Sequence, residues 1–88
     1  MNIDGFSDPR FSRVKEAYET NFKNNLDVGS SLCITVAGEV VLDLWGGYKD
    51  AAKKHPWVED TIVNVWSSTK NMTSLCALIL ADRKELDL

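Results

Sequence analysis

Four apolar residues, Phe11, Val14, Tyr18 and Phe22, recur at three- and four-residue spacing through an otherwise charged stretch. That spacing predicts a surface helix with one apolar stripe. Asp8-Pro9 supplies its opening, an N-cap followed by a residue suited to the first helical position. Asn24, Asn25 and the region of Gly29 end it. The pattern then shortens to period two. In SLCITV, Leu32, Ile34 and Val36 alternate with Cys33 and Thr35; in EVVLDLW, Val40, Leu42 and Leu44 alternate with Val41, Asp43 and Trp45. Two strands joined by an Ala37-Gly38 hairpin turn are expected, the second ending at Gly46-Gly47. Residues 48 to 60, with Lys53, Lys54, Pro56 and Trp57, read as a surface excursion.

A second helix begins near Ser67 and differs in kind. From Leu75 to Ala81 it is apolar on every side. Such a helix is expected to be buried, with cover all round. One hairpin and one amphipathic helix do not supply that cover. The expected fold class is α+β: helix, antiparallel hairpin, connecting segment and buried helix. Residues 1–88 are expected to be the amino-terminal portion of a single larger domain.

Composition narrows the function classes. The chain has 88 residues, 44% of them hydrophobic and 26% charged, and a net charge of −3. A chain of this size buries only about 60–65% of its unfolded surface, so its core is thin. Lys53, Lys54 and His55 form one small basic cluster, with Glu59 and Asp60 close behind. No phosphate-tracking surface or polybasic membrane anchor follows, so neither a nucleic acid nor a membrane is expected as a partner. MNIDGFSDPR has neither the basic region nor the apolar run of a signal peptide. The apolar run Leu75 to Ala81 falls far short of the ~20 residues of a membrane span. Cys33 and Cys76 lie in apolar runs and are expected as buried free thiols, with a disulfide or reactive thiol as the alternative. A reducing, cytoplasmic setting fits them.

The candidate chemistry lies in VWSSTKNM, residues 65 to 72, where two serines and a lysine separate two apolar runs. Residues three apart on a helix share a face, about 5–6 Å apart, so Lys70 is placed to reach Ser67. A lysine so placed takes a serine's proton when burial or a neighbouring positive group favours its neutral form. Unpaired N–H groups of the first turn favour the negative charge that develops in acyl transfer. The same spacing occurs at Ser12 and Lys15, inside the amphipathic helix, where solvent keeps the lysine hydrated. The bland reading of Ser67 is a helix cap beside a lysine whose ammonium reaches water.

Other residues are expected to be structural. His55, the one histidine, is read as a surface residue, and no Cys/Asp/Glu arrangement has metal-ligand spacing. Asn71-Met72-Thr73 is a chance glycosylation match on a buried helix. Trp45 and Trp66 are expected to anchor packing near strand ends, with substrate contact as the alternative. Gly46-Gly47 lacks a lysine at phosphate-loop spacing, and Ser68 is expected in the first turn of the helix. No metal or cofactor is called for.

VWSSTKNMTSLCALILADRKELDL resembles the nucleophile segment of the serine beta-lactamase-related, penicillin-binding-protein-like hydrolases, and most of all the beta-lactamase-like carboxylesterases. SLCITVAGEVVLDLWGGYKD is similar to that family's first hairpin, and Asp60-Thr61 with Ser67-Ser68-Thr69-Lys70 fits D-T-x-x-x-x-x-S-S-T-K. The resemblance covers about residues 27 to 88, and the opening helix fits it. It implies a beta-lactamase/transpeptidase-like fold, with Ser67 as the acylated nucleophile and Lys70 as its general base. It also implies that the Ser67 N–H forms half of an oxyanion hole, and that the substrate is a small ester or beta-lactam-like molecule. The family's second and third motifs lie beyond Leu88 in motif order, so further chain is needed to complete the site. Tyr18 and Tyr48 precede the serine and do not match the second motif's tyrosine. A glycine often follows the serine helix in this family; here Lys84 stands there, and a left-handed cap costs it roughly 1 kcal/mol. The alternative functions are a non-catalytic binding module and a D-alanyl peptidase or transpeptidase.

Overall fold

The computed structural model describes residues 2–88. Its framework is a three-stranded antiparallel sheet in the order β1-β3-β2, with β1 at Ile3–Ser7, β2 at Gly29–Val36 and β3 at Glu39–Gly47. Two helices accompany it: α1, Ser12–Lys23, and α2, Thr69–Asp82. This is the mixed α and β architecture expected from the sequence, with one added element. The strand β1 carries no period-two signal, because Ile3 and Phe6 are three apart and Gly5 lies between them. Pairing makes it a strand instead, from Ile3 opposite Gly46 to Ser7 opposite Leu42.

The hairpin forms where its alternation and turn predict. Ala37 (φ 51°) and Gly38 (φ 81°) both take the left-handed conformation that a two-residue turn between antiparallel strands requires. Ile34 pairs with Leu42 and Thr35 with Val40, so Val41 is the extra residue of a bulge. Val41 is buried, and its carbonyl accepts from the Asp8 N–H at 2.8 Å, which ties the chain beyond β1 to β3.

One face of this sheet carries the core. Tyr18 and Phe22 of α1 pack on Leu42 and Leu44, with Ile3, Phe11, Val14, Leu32 and Ile34 around them. The helical stripe and one set of alternating strand positions therefore meet as the sequence predicts. Fully burying a side chain such as Leu42 contributes about 1.5–3 kcal/mol. The Tyr18 hydroxyl donates to the Ser30 carbonyl at 2.9 Å and accepts from the Ser30 hydroxyl at 2.9 Å, which docks α1 onto β2. Burial pushes the Tyr18 phenol above its ordinary value.

Asp8 caps the opening turn as expected: its carboxylate accepts the Arg10 N–H at 2.9 Å and pairs with the Arg10 guanidinium at 3.0 Å. That guanidinium holds the Asp8 carboxyl below its usual range. At the far end, the Asn25 N–H reaches the Phe22 carbonyl and the Leu26 N–H the Asn21 carbonyl, with Asn25 left-handed (φ 55°).

The second helix lacks cover, as expected where one hairpin and one amphipathic helix do not supply it. No residue of α2 is buried; Leu75 is 48% exposed and Leu78 56%. Apart from the turn leading into it, α2 makes no extensive contact with another element among the described residues. The all-round apolar surface is present, but the cover it predicts does not come from residues 2–88. Cys33 and Cys76 are free, as expected, yet both are exposed rather than buried. Cys33 lies on the sheet face opposite α1, and Cys76 on the uncovered helix.

Candidate active site

The chain leaves β3 at Gly47, whose φ of 78° turns it away from the sheet. A Cβ there would collide with the Val28 carbonyl and lie 2.8 Å from the Phe22 ring, so only glycine fits. The excursion that follows is tied to itself. The Asp50 carboxylate accepts from the Lys54 N–H at 3.2 Å and the His55 N–H at 3.0 Å, and pairs with His55 Nδ1 at 3.2 Å. These bonds, the His55 amide first, hold the Asp50 carboxyl below its usual range. His55 is a surface residue, as expected. Trp57 then returns to the sheet, its N–H donating to the Gly47 carbonyl at 2.8 Å.

Ser67 sits in a short 3-10 turn, Trp66–Ser68, that runs directly into α2. The first hydrogen bond inside this turn is from the Ser68 N–H to the Val65 carbonyl at 3.1 Å. The Ser67 N–H precedes that bond and has no acceptor within the turn. Lys70 lies in the first turn of α2, three residues on, so the two side chains share a face. Both are exposed. The cover that would strip water from Lys70 is therefore not among the described residues. A hollow of about 270 Å³ beside Asp4, Gly47, Tyr48 and Trp57 contains neither Ser67 nor Lys70.

The residue before the serine carries a feature the sequence does not reveal. Trp66 has φ 51°, a left-handed conformation that costs a bulky side chain about 1–3 kcal/mol. Its N–H donates to Asn64 Oδ1 at 3.1 Å. Trp66 is 80% exposed and so anchors no packing here, against expectation, whereas half-buried Trp45 lies against Gly5 of the edge strand. The Ser12–Lys15 pair differs at this point. Ser12 also follows a short 3-10 turn and begins a helix, but Phe11 before it has an ordinary φ of −110°. Ser12 and Lys15 are exposed as well, so backbone conformation, and not exposure, separates the two Ser-x-x-Lys pairs.

At its carboxyl end α2 closes as α1 does. The Lys84 N–H bonds to the Ala81 carbonyl and the Glu85 N–H to the Leu80 carbonyl, with Lys84 left-handed at φ 60°. The lysine thus takes the conformation for which a glycine is usual. Asn71 is helical but exposed, so the burial expected for it is absent.

Residues 19–88, which contain both Ser67 and Lys70, match the family model described as Beta-lactamase. The chain belongs to the beta-lactamase family. Its likeness to individual members extends further towards the amino terminus. It is 37% identical over 85 residues to the esterase/beta-lactamase LipL of Mycobacterium tuberculosis (strain ATCC 25618 / H37Rv), covering 97% of this chain and 20% of that protein. The crystal structure of a family VIII carboxylesterase superposes with a TM-score of 0.93 at 40% identity, over 99% of this chain and 24% of that one. A penicillin-binding protein homologue from Caulobacter crescentus gives 0.86 at 33% identity, over 96% and 23%. The chain spans about a fifth of the length of the curated relative it matches. Both structural relatives share the sheet and helices described above.

Proposed function

We propose that a complete domain containing these residues is a serine hydrolase acting on a small carboxylic ester or beta-lactam-like substrate. The Ser67 Oγ attacks the acyl carbon while Lys70 accepts the hydroxyl proton. The carbonyl oxygen gains negative charge beside the Ser67 N–H, then the bond to the leaving group breaks. The leaving alkoxide or amine takes up the proton, and Ser67 is left acylated. Water then attacks the ester, loses a proton to the same base and frees Ser67 and the carboxylic acid. The observation that carries this reading is the place of Ser67 in a turn where its N–H has no acceptor among the described residues, with Lys70 one turn on and on its face.

The same observations limit the 88 residues by themselves. Ser67 and Lys70 are exposed, and among the described residues no strand packs extensively against α2. The isolated segment is therefore expected to have no meaningful turnover. The remaining chain would cover α2 and supply the second half of the oxyanion hole. Hydrolysis of a short-chain aryl ester tests both parts: a complete domain turns it over and loses that activity with Ser67→Ala, while residues 1–88 alone do not. Full activity in a verified Ser67→Ala domain ends the reading.

A further inference from the structure

Trp66 holds a left-handed backbone with almost no packing to hold it there. A bulky residue keeps such a conformation only when its surroundings over-determine it. The contact that does so is local: Asn64 Oδ1 accepts the Trp66 N–H across two residues at 3.1 Å. An asparagine side chain that bonds the backbone two residues on replaces a backbone turn, which is the geometry needed to bring an extended segment abruptly into a helix. Here the segment before Asn64 is irregular, and helix begins at Trp66. The conformation of Trp66 fixes the peptide plane it shares with Ser67. That plane carries the Ser67 N–H.

We infer that Asn64 is a positioning residue: through its side-chain bond to Trp66 it sets the backbone on which the Ser67 N–H and Oγ are presented. This rests on Ser67 being the nucleophile. Asn64 touches no reacting atom, and it acts only through Trp66. Its loss lets Trp66 relax to an ordinary φ, swings the Ser67 peptide plane away and slows acylation, while ground-state binding of substrate stays as it was. Two changes restore the arrangement by different routes. Asn64→Asp keeps an oxygen acceptor at the same place. Glycine at position 66 makes the left-handed conformation free of strain, so the bond from residue 64 is no longer required.

The test is a double-mutant cycle in a complete domain, reading single-turnover acylation by p-nitrophenyl butyrate. Asn64→Ala is expected to slow acylation roughly tenfold, the scale of one hydrogen bond, with the substrate dissociation constant little changed. Asn64→Asp and the double variant Asn64→Ala/Trp66→Gly are expected to return close to the parent rate. In residues 1–88 themselves, Asn64→Ala is expected to speed hydrogen exchange of the Trp66 amide. Acylation at the parent rate in Asn64→Ala overturns the inference. So does a folded double variant that stays as slow as Asn64→Ala, or one in which only substrate affinity has moved. Should Asn64→Ala not fold, Trp66→Gly and the double variant still decide it, since the inference requires them to acylate alike. Ser67→Ala separates the two levels. If it is inactive while Asn64→Ala is unimpaired, only this inference fails; if it is active, the nucleophile assignment fails.

Discussion

The two helices end alike and are covered differently. Each closes with the same pair of crossed hydrogen bonds and a left-handed residue, Asn25 for α1 and Lys84 for α2. Yet α1 buries Tyr18 and Phe22 against the sheet, while α2 buries nothing. The amphipathic helix finds its one partner within this chain. A helix apolar on every side needs several, and the relatives it matches are about four to five times longer than this segment. Local hydrogen bonding thus completes both helices, whereas packing is satisfied only for the first.

Truncation of the core side chains should show the largest contrast. Phe22→Ala is expected to cost about 3–5 kcal/mol and to unfold a segment with so thin a core. Leu78→Ala, on the exposed helix, is expected to stay within about 0.5 kcal/mol in residues 1–88 and to cost about 2–5 kcal/mol in a complete domain. Urea denaturation of both variants in both contexts checks this; equal costs for Leu78→Ala in the two would break the comparison. The uncovered surface of Leu75, Leu78, Ile79 and Leu80 also predicts that residues 1–88 self-associate. Sedimentation showing a monomer that unfolds cooperatively with several kcal/mol of stability would contradict that.

Next in size is the lysine. In a complete domain Lys70→Ala is expected to slow acylation roughly 10²–10⁴-fold, the range for a positioned proton transfer. Ser12→Ala and Lys15→Ala, at the same spacing on the covered helix, are expected to change stability by no more than about 0.5 kcal/mol and leave acylation alone.

A smaller effect separates the helices by pH. The Tyr18 phenol is raised above 10.0 by burial, so the folded state keeps its proton where the unfolded state has begun to lose it. The unfolded state then binds fewer protons, and stability falls as pH rises from about 10 towards the folded value. Tyr18→Phe is expected to flatten this alkaline decline, and an unchanged pH–stability slope would count against the burial assigned to Tyr18. The smallest effect lies at the two caps: Lys84→Gly should stabilise by about 1 kcal/mol, and Asn25→Gly by less, because asparagine already tolerates the left-handed region.

Much of this fold was legible where a pattern is local. Phe11, Val14, Tyr18 and Phe22 announce α1, and Leu42 and Leu44 the covered face of β3, because period and burial coincide there. The strand β1 was not legible, since its two apolar residues are three apart and partnership with β3 defines it. The need of α2 for cover was legible, and so was its shortage here, because periodicity reports what a helix requires while one hairpin and one amphipathic helix do not meet it. At the site, Ser67 and Lys70 stood out by spacing and by resemblance to the family. Trp66 did not: nothing about a tryptophan signals φ 51°, and only Asn64 two residues earlier could have hinted at a side chain bonding the backbone there.

The assignment of Ser67 as nucleophile is tested most directly by intact-mass analysis with peptide mapping, after a complete domain is treated with a serine-directed phosphonate. One adduct is expected, located on Ser67, absent from Ser67→Ala and formed far more slowly when Lys70 is replaced by alanine. An adduct on any other serine, Ser12 included, or full labelling of the Ser67→Ala protein, would contradict it.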